Sequence, residues 1–526
     1  MEQCEAAVNG AQKAMVDAAI EAVAMDELCR LSHEPAMRQP LVDAGAIGCL
    51  ATALQSHAMV PPVQKRGLEI AANLAQLDTP TKVKLVDAGI IALVANAMSS
   101  NLQDQALQAV GTLLLSLLAA LKKKDVCIKI VQDGGIESLC RAMDTYTGNS
   151  SIQSQGCDVL FLVTSALDDK AVQDRVRSAR GIPVIIQDIA AYEQSPGFLQ
   201  IAIQILASLA RKNTANQEEI SELNGIEVIL NAMRNQMTHE GVLLAGCQAL
   251  RFLGFSRENR TRIGDADGVE MVVTAIKQLQ TNPAALLVVL KSLNNVTFDN
   301  LQNKSAAGRC GAIQLTVEIM DLNRNSGELQ EDGCRLLRNL AEGVELNQRI
   351  MVDVGGLSSV LFAMTTHPNY LGICEHSCAA LLVLAKNDML LSNVNVADVR
   401  RLVESRLEMH RENIEFQRYA KELLELLDDN AASIQRNRTR SRSMSRSRSK
   451  SRGSNAGSDG GFQSSAMRNR TRSRSQRSNS KGRGKETKSS PGGGFLSKVA
   501  VELRSPCLAP SFLRSCATLR FSSFIN

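Results

Sequence analysis

From about residue 41 to residue 427, apolar positions recur in short blocks separated by glycine and small polar residues. The blocks are in phase. A glycine followed by an aliphatic residue marks each one, in AGAIGCL, AGIIALV, GGIESLC, RGIPVII, NGIEVIL, DGVEMVV, CGAIQLT and GGLSSVL. Anchored on Ile47, Ile91, Ile136, Ile182, Ile226, Val269, Ile313 and Leu357, the steps are 44, 45, 46, 44, 43, 44 and 44 residues. A period of this size, held over eight copies, predicts a stacked repeat array.

A second apolar block follows each anchor by 26 or 27 residues, at Asn73, Leu117, Val163, Ser208, Phe252, Asn295, Asn339 and Val383. Two residues before each of these the side chain is apolar. Six before, it is small in seven copies, among them Gly67, Gly111, Gly246 and Gly333. Glycine weakens a helix by roughly 1 kcal/mol relative to alanine, so its recurrence in one register predicts a helix crossing too close for a side chain. Each unit therefore reads as a short helix ending at glycine, a second helix from the anchor, and a longer third helix. Glycine at the first junction is expected to permit the sharp turn. No unit buries its apolar face alone, so the units must stack.

A three-helix unit with the pieces VDAGAI, VDAGII and LLRNLAEG resembles the armadillo repeat, over about Leu41 to Leu427. The chain is also similar to armadillo proteins of protists and to the armadillo region that precedes leucine-rich-repeat kinases. The implied fold is all-α: a right-handed armadillo-type solenoid of about eight repeats over 41–397. A helical cap over 1–40 and a degenerate cap over 398–430 would flank it.

The resemblance implies a concave groove lined by third helices that binds extended peptides. Importin-α adaptors place a Trp four residues before an Asn in successive third helices. Here those positions hold Glu69, Leu113, Val159, Gln204, Gln248, Lys291, Arg335 and Ala379, and the whole chain contains no Trp. Import-adaptor function is therefore disfavoured. From the fifth unit onward the expected inner face instead carries Arg251, Lys291, Asn294, Asn295, Arg335, Arg338 and Asn339. Asn can hold peptide amides, and Arg can grip a carboxylate or phosphate in a bidentate fork. These residues either form a site for an extended acidic or phosphorylated peptide or simply solvate the inner face.

Other chemistry is sparse. No phosphate loop, nucleophile elbow or HExxH motif occurs, which argues against an enzyme, and no cofactor is expected. Cys374, His376 and Cys378 lack a second ligand pair for zinc and read as packing residues. Asp265 to Gly268 lacks the later ligands of a calcium loop and reads as a repeat turn. Thirteen dispersed cysteines, the absence of a secretory start and the absence of a long apolar run predict reduced thiols, no membrane insertion, and a cytoplasmic or nuclear location.

Composition changes after Leu427. Residues 436–488 hold 17 Lys and Arg against two acids, with 14 Ser, and the octamer RNRTRSRS occurs twice. This predicts a disordered tail over 431–494 that resembles the arginine–serine domains of RNA-processing proteins. Ser441, Ser443, Ser445, Ser447, Ser449, Ser473 and Ser475 are candidate phosphorylation sites. The tail could bind RNA through residues 436–488 in a salt-dependent way, and 495–526 remain unassigned. The net charge of +5 conceals a contrast between residues 436–526 at +18 and the first 435 residues at −13. That contrast predicts tail–solenoid attraction, loosened by salt or phosphate.

Overall fold

A computed structural model describes residues 2–14, 18–387, 389–390 and 393–429. The chain divides into two units, Met1–Ser449 and Lys450–Asn526, and the whole of the second lies outside the described residues. So do the tail phosphorylation candidates, residues 436–488, for which RNA binding is expected, and residues 495–526.

Two helices, α1 (Glu2–Ala14) and α2 (Ala18–His33), open the chain. The first repeat follows as α3 (Pro35–Asp43), α4 (Ala46–Ser56) and α5 (Pro61–Ala75). The second is α6 (Thr79–Asp87), α7 (Ile90–Ser100) and α8 (Gln105–Ala119). The third is α9 (Lys124–Gln132), α10 (Gly135–Thr145) and α11 (Ser150–Ala166), and the fourth α12 (Lys170–Ser178), α13 (Gly181–Ala191) and α14 (Pro196–Ala210). The fifth is α15 (Thr214–Glu222), α16 (Gly225–Asn235) and α17 (Glu240–Leu253). The sixth is α18 (Arg257–Asp265), α19 (Gly268–Gln278) and α20 (Pro283–Thr297). The seventh is α21 (Leu301–Arg309), α22 (Ala312–Leu322) and α23 (Gly327–Ala341), and the eighth α24 (Glu345–Asp353), α25 (Gly356–Thr366) and α26 (Leu371–Ala385). Two last helices, α27 (Val396–Met409) and α28 (414–429), close the described part. The first repeat begins at Pro35, not at residue 41, because Pro35 occupies the first helical position and Pro40 is carried inside α3.

Every first helix has nine residues and every second helix eleven. Third helices pack on third helices in series, from α2 through α26, and one continuous apolar core runs beneath them. Local signals set the starts. Asp78, Asp104, Asn213, Asn282, Asn300 and Ser326 accept from backbone N–H groups of the first turn, and Pro61 and Pro196 open third helices. No single helix among the described residues is long and apolar enough to cross a membrane.

The junction glycines act for two reasons, where the sequence suggested one. The residue two before each anchor is left-handed in all eight repeats, and in five it is Gly, as at Gly89 (φ 76°). In repeats four to six that residue is Arg180, Asn224 or Asp267, and glycine stands one position later in ordinary helical backbone. There a Cβ would collide with the preceding helix: at Gly225 it would lie 2.7 Å from the Ile220 carbonyl oxygen. The third-helix glycines do mark close crossings. A Cβ at Gly111, Gly246 or Gly333 would meet Met98, Met233 or Met320 of the second helix at 2.6 Å or less.

Candidate functional site

The row of third helices presents one register position per repeat every 44 or so residues, and the sequence-predicted residues lie along this face on α17, α20 and α23. Arg251 is half-buried and stacks over Phe252, its guanidinium carbon 5.4 Å from the ring centroid. Burial lowers its proton affinity, and the fields of Arg211 and Arg335 act in the same direction, with Asp332 opposing them. No carboxylate among the described residues lies within ion-pair distance of it.

The other cations are tied. Asp332, almost fully buried, faces Lys291 at 3.6 Å and Arg335 at 3.0 Å. Burial raises the Asp332 carboxyl, while Lys291 and Arg335 pull it back. Arg335 also reaches Glu331 at 2.7 Å and donates from Nε to His376 Nε2 at 2.9 Å. Arg338 donates to Tyr419 Oη at 2.7 Å and faces Glu375 at 3.9 Å. His376, half-buried with Arg335 and Arg338 against it, is pushed down to about 3 and stays neutral. The structure therefore brings Arg251, Lys291, Arg335 and Arg338 into one polar patch, together with Arg211, Asp332, His376 and Tyr419, which the sequence reading did not select.

The asparagines are committed differently from the peptide-holding role considered for them. Asn295 Nδ2 donates to the Arg251 carbonyl at 3.1 Å, and Asn339 Nδ2 donates to the Asn294 carbonyl and to Thr297 Oγ1. Their donors join successive third helices. Asn294 keeps a buried Oδ1 with no partner. A second ladder runs through the first helices: Asn259, Asn303 and Asn347 each donate to a carbonyl of the preceding first helix, 42 or 43 residues back. Cys374 and Cys378 are fully buried and His376 is engaged by two arginines, so the CEHSC segment is a packing element. Asp267 is the left-handed residue before α19, which makes the DADG segment a repeat turn.

At the opposite end of the row, α2 and α5 form a cluster that the sequence reading missed. Cys29 donates its thiol hydrogen to Glu69 Oε2 at 3.2 Å, and His33 Nε2 lies 3.7 Å from Cys29 Sγ. Arg66 donates to the same Glu69 oxygen at 2.9 Å and to Asp26 at 2.6 Å. Burial, then the Glu69 hydrogen bond, pushes the Cys29 thiol up to about 12. Cys29 stands 44 residues before Asn73, in the same register, and a Cys-x3-His pair was the available signal.

Residues 216–417 match the family described as the LRRK2 ARM repeat, and residues 158–246 match the spinocerebellar ataxia type 10 protein domain. An engineered protein of known crystal structure is 22% identical, with a TM-score of 0.61, covering 81% of this chain and 99% of its own. A structure from work on a phosphorylation switch in the interaction between cadherin and beta-catenin is 15% identical, with a TM-score of 0.64, covering 78% and 80%. This chain is an armadillo-type repeat protein. Its described part is the armadillo solenoid, a fold consistent with protein-interaction scaffolds. No curated protein sequence matches the chain.

Proposed function

We propose that this armadillo protein is a non-enzymatic scaffold of the cytoplasm or nucleus. Its third-helix face in repeats five to seven takes an extended peptide bearing a carboxylate or phosphoserine. The observation that carries this reading is Arg251, half-buried, repelled by Arg211 and Arg335, attracted by Asp332 from a distance, and without a carboxylate at ion-pair distance among the described residues. A phosphate or carboxylate there would complete the neutralisation of a charge that Asp332 offsets only in part, in a partly desolvated setting where charge-assisted hydrogen bonds are strongest. Arg335 and Arg338 are already oriented by Glu331, Asp332 and Tyr419, so little side-chain freedom is lost on binding. The phosphorylation switch between cadherin and beta-catenin, whose structure shares this fold, supports a phosphate-dependent contact here.

The test is fluorescence-polarisation binding of phosphoserine and acidic peptide pools to the full chain, repeated with Arg251→Glu and with Arg335→Glu/Arg338→Glu. A charge-assisted hydrogen bond is worth about 1.5–3 kcal/mol, so Arg251→Glu should weaken capture at least about tenfold. Equal binding by all three proteins would refute the groove assignment.

The Arg/Ser tail is proposed to set localisation or assembly through charge. Phosphoserine carries about −1.5 to −2 charges, so roughly eight to ten phosphates would cancel the excess over residues 436–488. The duplicated octamer favours a second reading, in which the tail binds RNA in a splicing or ribonucleoprotein setting. RNA crosslinking that survives deletion of residues 436–488 would dispose of it.

A further inference from the structure

We propose that Cys29, His33 and Glu69 form a transition-metal site, suited to zinc, that fastens the N-terminal helix α2 to the third helix of the first repeat. The three offer one ligand atom each, and these atoms all lie within 4.8 Å of one another. No other such group of three occurs among the described residues.

The ligand chemistry is selective. A thiolate, an imidazole and a carboxylate form a mixed set that zinc accepts in tetrahedral geometry, whereas magnesium and calcium require oxygen donors. Zinc bonds of about 2.0–2.3 Å place neighbouring tetrahedral ligands roughly 3.3–3.8 Å apart. Cys29 Sγ already stands 3.2 Å from Glu69 Oε2 and 3.7 Å from His33 Nε2. Two of the three pairs thus already stand near tetrahedral spacing, and His33 and Glu69, within 4.8 Å of each other, would draw together on an ion.

The backbone explains this preorganisation. Cys29 and His33 are four residues apart on α2 and share one face. Glu69 comes from α5, the neighbour in the third-helix row. The supporting shell is also in place: Arg66 bridges Glu69 and Asp26 and so fixes the carboxylate's orientation. Cys29 is buried, Glu69 is partly exposed and His33 is exposed, so the cluster opens to the surface on its His33 side. On binding, the thiol hydrogen now donated to Glu69 is released to solvent as a proton, and the sulfur lone pair forms the metal bond. Three protein ligands leave a fourth position for water or for a side chain of a bound partner.

A cysteine stands in this register only here. In the following repeats the position holds Asn73, Leu117, Val163, Ser208, Phe252, Asn295, Asn339 and Val383. The site thus belongs to the interface between α2 and the first repeat.

The test is titration of the metal-free full chain with cobalt(II), followed by displacement with zinc. One equivalent should produce a thiolate-to-cobalt charge-transfer band in the near ultraviolet and the visible bands of tetrahedral cobalt, both abolished by zinc. Cys29→Ser should remove the charge-transfer band. His33→Ala, at an exposed position that leaves the fold intact, should weaken cobalt binding at least about tenfold. Zinc should also slow hydrogen exchange in α2 and α5 of the wild-type chain but not of His33→Ala. A chain with no charge-transfer band, a band that persists in Cys29→Ser, or His33→Ala binding cobalt as tightly as wild type would each overturn the proposal.

Discussion

Asn303→Ala isolates what holds one repeat to the next. Asn303 is buried, and its Nδ2 donates to the Arg260 carbonyl at 2.7 Å and to the Val296 carbonyl at 2.9 Å. The first bond crosses from α21 to α18, and the second ties α21 to the end of α20. Val296 lies in the last turn of its helix, where carbonyls outrun intrahelical donors. Losing a net hydrogen bond costs about 1 kcal/mol, and leaving a buried acceptor unsatisfied costs about 1–3 kcal/mol. The substitution should therefore destabilise by about 2–4 kcal/mol, most of it at the boundary of the sixth and seventh repeats. Urea unfolding followed by circular dichroism gives the total, and hydrogen exchange resolved by peptide gives the place. A loss under about 0.5 kcal/mol, or faster exchange spread evenly over all repeats, would refute the view that these bonds join the units.

Three further outcomes follow from the geometry. Gly225→Ala should cost more than Gly89→Ala. The first puts a Cβ 2.7 Å from an immovable carbonyl, while the second meets open space and incurs only the left-handed penalty of about 1–2 kcal/mol; equal thermal shifts would contradict this. Asp188 is buried with an unpartnered Oδ2 where six other repeats carry Ala53, Ala97, Ala142, Ala232, Ala275 and Ala363, and burial raises its carboxyl to about 7. The folded chain therefore keeps a proton that the unfolded chain releases above about pH 4, so stability falls as pH rises from there to about 7. Asp188→Ala should stabilise by about 1–3 kcal/mol at pH 8 and by less at pH 5, measured as the shift in melting temperature. His376 has the opposite sign. It is neutral in the fold down to about 3, whereas the unfolded chain takes up a proton below about pH 6.5, so stability is lost as pH falls through that window. His376→Gln should flatten the acid limb of the urea midpoint against pH, and an unchanged limb would count against the half-buried neutral imidazole.

The period, the three-helix unit and the close glycine crossings were legible because each repeats in sequence. Apolar burial is a local property of each side chain, and eight copies average away the exceptions. The polar ladders were not legible. Asn303 or Gln108 looks like any hydrophilic residue until the fold sets it against carbonyls seven to forty-three residues away. The role of glycine was half legible, since spacing marks the junction but does not tell a left-handed residue from one pressed against a carbonyl. Arg251 and its neighbours could be placed on one face from register alone. Which of them are already neutralised depends on Asp332 and Glu331, whose orientation no pattern displays. The Cys29, His33 and Glu69 cluster spans 40 residues, and its register emerges only once α2 is recognised as a further member of the third-helix row.

The methionines packed on glycine carry a consequence for oxidative chemistry. Met98, Met143, Met233 and Met320 press their thioethers onto Gly111, Gly156, Gly246 and Gly333, at distances that would not admit a methyl group. A sulfoxide adds an oxygen atom to that same sulfur, and a closed repeat has nowhere to put it. Peroxide can therefore reach these sulfurs only when a second and third helix part, and the modified repeat cannot close again as before. The rate of sulfoxide formation at each of the four residues becomes a clock for the opening of its own repeat, and oxidation becomes a ratchet that converts brief openings into lasting ones.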